Sequence, residues 1–317
     1  MKTYLGVALL AFVLSLVFCF LLIPILRKLK AGQNILVYVE EHKQKGGTPT
    51  MGGIAFVLAA VLSSVLFIDR ANRTVVLCFA IGLSYMAVGL IDDLLKRRHK
   101  ENLGLTALQK FAFQILIAVF SAIYAMRAGL TALYLPFINK TVDIGWGMFP
   151  LAILVLLATV NAVNLTDGLD GLAAGTSVPF FIVLGALISV QSGLKEFSLL
   201  SFALSGALLA YLLFNVSPAS VFMGDTGSLA LGGFASALAL FSSNALYILT
   251  VGVCFVFSVI SVVLQVIYYK ATGGKRIFLM APVHHHFQKK GFSEARISYA
   301  YFAITLCLGG AYLWFAL

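Results

Sequence analysis

Ten stretches of this chain are apolar enough to cross a bilayer as helices, and together they take up most of its length. They are 4–26, 51–68, 74–91, 106–126, 146–163, 172–190, 198–214, 229–241, 245–269 and 297–315. A spanning helix needs about 20 mostly apolar residues. The eighth run is short, which suits a helix that tilts little or is partly enclosed by protein. With 11% charged residues and a mean hydropathy of +1.00, against about 25% charged in ordinary globular chains, the protein cannot cover a water-facing surface. A cytosolic globular enzyme, a disordered chain and a nucleic-acid binder are excluded. The first run is no cleavable leader, since it is too long and is followed by Arg27, Lys28 and Lys30 where a cleavage site would stand. No repeat or linker divides the chain, so residues 1–317 are expected to form a single polytopic, all-α membrane domain of ten helices. The four cysteines lie in apolar runs without close spacing, which suits buried hydrophobes better than a zinc site or a disulfide.

An even number of spans places both termini on one side, and the alternating loops then sort the cations. Of 22 Lys and Arg residues, 16 fall on the side of the loops after runs one, three, five, seven and nine, counting Lys110 near the start of run four. The other six are Lys2, Arg70, Arg73, Arg127, Lys140 and Lys195. By the positive-inside rule the first set is cytosolic and both termini face outward. Nine of the 12 acidic residues share the cytosolic side, and five of those nine are aspartates in three compact motifs.

The first motif ends run three as Asp92-Asp93 followed by Lys96. Adjacent carboxylates stay ionised together only beside a cation, either a metal or a lysine. The second runs from Asn164 through Asp167, Gly168, Leu169 and Asp170 to Gly171. Its polar residues recur every third position, which on a helical turn would share a face, while its glycines favour irregular backbone. A calcium loop is the rival reading, but the glutamate at its twelfth position is missing. The third motif, Gly224-Asp225-Thr226-Gly227-Ser228, offers the single carboxylate that suits Mg²⁺, an ion that fills its shell with water and phosphate. Its bland alternative is a helix cap. The last cytosolic loop holds Pro282, His284, His285, His286, Phe287, Lys289 and Lys290. Three consecutive histidines cannot all face one metal, although alternate residues of an extended segment can. Beside lysines they suit a diphosphate better than zinc, and a basic loop lying on anionic lipid is the alternative. Lys45 and Thr50 flank a glycine-rich turn of the kind that cradles phosphate, and Lys110 stands alone near the start of run four.

These motifs, with Thr48 to Gly53 and Asn102-Leu103-Gly104-Leu105, resemble the polyprenyl-phosphate N-acetylhexosamine-1-phosphate transferase superfamily over nearly the whole chain. The Pro-Val-His-His-His-Phe stretch is similar to its muramoyl-pentapeptide branch. The resemblance implies a ten-span, homodimeric enzyme of the bacterial inner membrane whose site opens to the cytosol. Such an enzyme moves phospho-N-acetylmuramoyl-pentapeptide from its UDP-linked donor to undecaprenyl phosphate, giving lipid I and UMP with Mg²⁺. Carried over by motif, Asp225 binds the metal and Asp92 with Asp93 handles the prenyl phosphate. Lys45, Thr50, Asn164, Asp167, Gly168, Leu169, Asp170, Asn215 and Phe222 hold the uridine diphosphate end, with Phe222 against uracil. His284, His285 and His286 lie along the diphosphate and sugar, and Lys110 adds positive charge. Ser298-Tyr299-Ala300-Tyr301 departs from the family's more usual arginine and tryptophan.

The chemistry is coherent without the resemblance, because phosphoryl transfer between two anions is mostly alignment and charge neutralisation. A UDP-N-acetylglucosamine transferase would share the aspartates but not the histidine loop. An ion-coupled transporter would place its charges near the bilayer midplane rather than at helix ends. Asp92 invites a general-base role, yet a phosphate monoester has its second pKa near 6 and is already largely a dianion at neutral pH. Asp92 is therefore expected to orient the acceptor through Lys96, Lys110 or the metal.

Overall fold

In the computed structural model, which describes residues 1–29, 47–68, 72–98, 104–191 and 194–316, the apolar runs become helices. In order they are α1 (Lys2–Lys28), α2 (Gly53–Val65), α3 (Arg73–Arg98) and α4 (Ala107–Arg127), then a hairpin of β1 (Ala132–Leu135) and β2 (Lys140–Asp143). There follow α5 (Met148–Thr166), α6 (Leu172–Gln191), α7 (Lys195–Asn215), α8 (Gly224–Phe241), α9 (Tyr247–Thr250), α10 (Val253–Ala271), α11 (Val283–Lys289) and α12 (Glu294–Ala316). Eight of these, namely α1, α3 to α7, α10 and α12, are long and apolar enough to cross a membrane. The 13-residue α2 is shorter, and α8 is enclosed by its neighbours.

The helix α8 organises the bundle. Every one of its residues except Asp225 is buried, and it packs against α3, α5 and α2. Between apolar helices in lipid the hydrophobic effect gives no drive to associate, so close approach through small residues has to do so. Gly89 of α3 lies against the backbone of Asp225 with no room for a side chain, and Gly53 of α2 lies likewise against Gly227. These two contacts wedge the start of α8 between α2 and α3.

Two differences from the sequence pattern matter for the site. Run three does not end at Ile91, since α3 continues to Arg98 and carries Asp92, Asp93 and Lys96 on helical backbone. Run nine is broken into α9 and α10 around Gly252, a break its continuous hydropathy conceals. At the start of α4, Thr106 and Gln109 form a capping box: Thr106 Oγ1 accepts from Gln109 N at 3.2 Å and Gln109 Oε1 accepts from Thr106 N at 3.0 Å. Such a cap is worth about 1 kcal/mol, and it sets the helical phase of the next residue, Lys110.

The two ends of the bundle differ in kind. One gathers the C-terminal ends of α3 and α5 with the N-terminal ends of α2, α4, α8 and α12. At the other, the hairpin docks through Tyr134 N on Ser243 O at 2.7 Å, just past the C-terminus of α8. Ring contacts of Tyr4 with Phe202 and of Phe20 with Phe214 show α1 running parallel to α7. Both chain ends therefore lie at the hairpin end, away from the motifs. Cys19, Cys78, Cys254 and Cys307 are all free thiols.

Candidate active site

Asp92, Asp93 and Asp225 come together so that one oxygen from each lies within 4.8 Å of the others. Asp92 and Asp93 are each only 2% exposed, and all six carboxylate oxygens are engaged. Asp92 Oδ2 meets Lys96 Nζ at 2.6 Å, and its Oδ1 accepts from Leu105 N at 2.7 Å. Asp225 Oδ2 receives Lys96 Nζ at 2.7 Å and Lys110 Nζ at 2.8 Å. Its Oδ1 receives Asn164 Nδ2 at 2.7 Å, and the same amide nitrogen reaches Ser228 Oγ at 2.8 Å. Asp93 is turned to another task. Its Oδ1 accepts from Asp225 N at 3.3 Å, and its Oδ2 from Thr226 N at 2.9 Å and Thr226 Oγ1 at 2.7 Å. Asp93 thus caps α8 from a neighbouring helix, where the partial positive charge of a helix N-terminus favours an anion.

Three carboxylates against two lysines leave one net negative charge in the cluster, and its donors are the hard oxygens that Mg²⁺ prefers. With Asp93 committed to α8, Asp225 and Asp92 are the residues placed to hold a cation. The residues fit the expected metal, which takes only one or two protein carboxylates.

The second motif is divided by the end of α5. Asn164, in the last helical turn, joins Asp225. Asp167 sits at the C-cap, and burial, reinforced by the charges of Asp225, Asp93 and Asp170, pushes its carboxyl well above the ordinary aspartate value. Asp170 turns away and braces the loops, its Oδ2 accepting from Ala219 N at 3.0 Å. Leu169 enters a small apolar cluster with Leu172, Cys254, Ile297 and Tyr301. The three-residue spacing therefore does not produce one shared face, because the helix stops at Thr166. Asn215 is also a brace, its Oδ1 accepting from Gly171 N at 3.2 Å and its Nδ2 donating to Val221 O at 2.9 Å. Phe222 is half-buried, and its backbone pairs with Pro49 O at 2.8 Å and Gly52 N at 2.9 Å. That pairing carries Thr50 to the start of α8, where its buried hydroxyl has no partner among the described residues and lies close to Gly224 and Asp93. Gly224 has φ of +71°, a backbone state that glycine adopts without strain.

The histidines lie in α11, a short helix, and not in an extended segment. His284 and His285 both point Nε2 at Gly168, which has no space for a side chain. His286 faces the other way and accepts from Leu279 N at 3.1 Å. His284 is fully buried, and burial together with the adjacent His285 pushes its pKa down to about 3. The site thus unites Asp92, Asp93, Lys110, Asn164 and Asp225, with Gly168, His284 and His285 alongside. Lys45 and the Asn102-Leu103 pair lie outside the described residues.

Sequence reasoning gave Lys96 a pairing role and left it out of the site, although its i+4 spacing from Asp92 was a usable signal. Thr226 and Ser228 stood inside a noted motif without a role. Gln265, whose Oε1 accepts from Ile277 N at 3.1 Å and Phe278 N at 3.0 Å to hold the loop before α11, was missed, a lone amide inside an apolar run.

Residues 74–243, which span α3 to the end of α8, match the family described as glycosyl transferase family 4. Over 302 residues the chain is 42% identical to a phospho-N-acetylmuramoyl-pentapeptide-transferase of Listeria monocytogenes, covering 93% of each. It is 39% identical over 307 residues to one from Clostridium botulinum, covering 96% of this chain and 94% of the relative. With one from Shouchella clausii it shares 42% over 309 residues, at the same coverage. Matches of this identity over nearly the full length, centred on the residues that build the cluster, mean that the chain belongs to the phospho-N-acetylmuramoyl-pentapeptide transferase family.

Proposed function

We propose that the protein transfers phospho-N-acetylmuramoyl-pentapeptide from its UDP-linked donor to undecaprenyl phosphate, forming lipid I and releasing UMP for peptidoglycan synthesis. The observation that carries this reading is the convergence of Asp92, Asp225, Lys96, Lys110 and Asn164 at one end of a bundle of membrane-length helices. Phosphoryl transfer needs charge neutralisation and alignment more than covalent help, and a lipid-linked acceptor needs that chemistry at a bilayer surface.

Asp225, with Asp92 beside it, would hold Mg²⁺, which would supply positive charge to the transferring phosphoryl group. Lys96 and Lys110 contact Asp225, and they would add positive charge for the same phosphates. Asp92 orients the acceptor through Lys96, and Asp93 keeps Asp225 in place by capping α8. Asn164 fixes the Asp225 carboxylate. Lys45, Thr50, Asp167, Gly168, Leu169, Asp170, Asn215 and Phe222 shape the uridine diphosphate end, some of them by bracing loops. His284 and His285, against Gly168, belong with His286, on the opposite side of α11, to the donor side.

The protein is read as one polytopic unit of ten spans, with α2 and α8 completing the eight long helices, and as a homodimer in the bacterial inner membrane. The motif-bearing end is cytosolic by its excess of Lys and Arg, so both termini face outward. The test is a transfer assay with purified protein, undecaprenyl phosphate, Mg²⁺ and radiolabelled donors. Turnover of the UDP-linked muramoyl-pentapeptide and not of UDP-N-acetylglucosamine is expected. Equal turnover of both would remove the branch assignment, and no transfer from either would remove the enzyme reading.

A further inference from the structure

The helix α11 is tied to its surroundings by a chain of side chains outside the motifs. His285 Nδ1 lies 3.0 Å from Gln288 Oε1, one turn further along. Gln288 Nε2 donates to Glu294 Oε1 over a long 3.4 Å. Glu294 opens α12, and its second oxygen, Oε2, accepts from Asp170 N at 2.9 Å. Ser298, one turn along α12, donates to Asp170 O at 2.8 Å. The chain thus joins α11, the start of α12 and the turn after α5. His285 faces Gly168 through its other nitrogen, Nε2.

The charge on Glu294 decides how this chain is polarised. An amide side chain has one end that only donates and one that only accepts. Reversing Gln288 would set its oxygen against the Glu294 carboxylate, two acceptors with no proton between them. The carboxylate therefore selects the orientation with Nε2 toward Glu294 and Oε1 toward His285. A carbonyl oxygen only accepts, so Nδ1 of His285 must carry a proton. That holds whether the ring is neutral or cationic, and it leaves Nε2 as the nitrogen at which the ring gains or loses its proton.

We propose that Gln288 and Glu294 are positioning residues: they keep the His285 proton on Nδ1 and so present Nε2, in a fixed plane, to the donor bound along the 167–170 turn. The donor clause rests on the transferase reading above; the proton assignment does not. Glu294 has a second effect through Asp170 N, since it holds that turn in register with α11.

The full-length protein, labelled with ¹⁵N in its histidine rings and held in lipid nanodiscs, tests both parts. Nitrogen shifts distinguish a protonated from a bare ring nitrogen, and the His285→Gln variant identifies which of the five histidine signals is His285. At pH 8 and without substrate, the wild type should carry its His285 proton on Nδ1. Gln288→Met and Glu294→Gln should bring in the Nε2-protonated form. In transfer assays Gln288→Met should raise the donor KM about tenfold, the scale of one hydrogen bond, and leave the lipid-phosphate KM unchanged. A wild-type proton on Nε2, or a pattern unmoved by Gln288→Met, would overturn the proton assignment. An altered tautomer with unaltered donor KM would overturn the positioning role. If the wild-type protein failed to use the donor at all, the transferase reading would fall while the nitrogen spectra still decided the assignment.

Discussion

In the carboxylate cluster all six oxygens of Asp92, Asp93 and Asp225 meet an ammonium, an amide or a hydroxyl. At the other end of the 164–168 turn, His284 is equally buried, yet neither of its ring nitrogens has a partner among the described residues. The first region is closed electrostatically by the protein's own groups, and its geometry is set before any substrate arrives. The second region keeps a neutral, unsatisfied ring against Gly168. A buried polar group without a partner costs about 1–3 kcal/mol. That cost is tolerable in a region proposed to gain contacts with the donor, and it would be ruinous among three carboxylates. Substitutions in the cluster should therefore act on catalysis most strongly, and those at His284 on stability.

The largest effect is expected at Asp225. Asp225→Asn removes the charge that Lys96 and Lys110 share and that the proposed metal would use, and should lower kcat on the order of 10³-fold or more, the scale of losing a preorganised electrostatic group. Its residual activity should lose its dependence on Mg²⁺ concentration. Asp92→Asn should lower the rate less and by a similar factor at every pH, because Asp92 serves Lys96 and Leu105 N and has no proton to take from an acceptor already ionised above about pH 6. Recovery of Asp92→Asn to near wild-type rate on raising the pH from about 6 to 9, well past that phosphate pKa, would assign it proton abstraction instead.

The contrast between the two regions also marks how far the sequence could be read. The membrane helices were legible because bilayer thickness imposes a run length that survives without neighbours. Asp92, Asp225 and Asn164 were legible because charges are scarce in such a chain and each stood at a helix end. The division of labour between Asp92 and Asp93 was not. Adjacent carboxylates look equivalent in sequence, but one helical step of about 100° turns Asp93 toward Thr226, 133 residues later, and Asp92 toward Lys96. The fold of the histidine stretch was hidden as well. Its helix depends on long-range contacts, with Val283 N donating to Ser261 Oγ at 3.0 Å and Gln265 holding the preceding loop. The bracing contact of Asp170 with Ala219 N was not legible either, because α5 ends four residues earlier and the three-residue spacing no longer sets the direction of its side chain.

A middle-sized effect is expected at Asp93, and it separates capping from catalysis. Asp93→Ala leaves the Asp225 and Thr226 amides at the start of α8 without their acceptor, a loss of about 1–2 kcal/mol for a helix cap. The melting temperature should fall, and kcat should drop about 10- to 100-fold as Asp225 loses its fixed place, which is less than for Asp225→Asn. Thr226→Val, which removes one of the three bonds to Asp93, should show a weaker version of both changes. A loss of kcat in Asp93→Ala as large as that of Asp225→Asn, with an unchanged melting temperature, would mean that Asp93 contacts substrate directly.

The smallest effect belongs to His284 and appears only in the pH dependence of stability. Its pKa in the folded protein is about 3, while an imidazole in the unfolded chain titrates near 6.5. A group whose pKa is depressed by folding binds more protons when unfolded. Its contribution is therefore complete above about pH 6.5 and is lost as the pH falls toward 3. Between pH 7 and pH 5 the loss from this one ring is about 2 kcal/mol, which corresponds to a few degrees in melting temperature. His284→Phe keeps an aromatic ring in the same packing and has nothing to titrate. The wild type should thus lose more melting temperature than His284→Phe on moving from pH 7 to pH 5 in the same detergent, with carboxylate titration common to both proteins. An equal loss in the two would mean that His284 is protonated, or solvated, in the folded state, and the contrast between a closed cluster and an unsatisfied histidine would fail at the residue on which it depends.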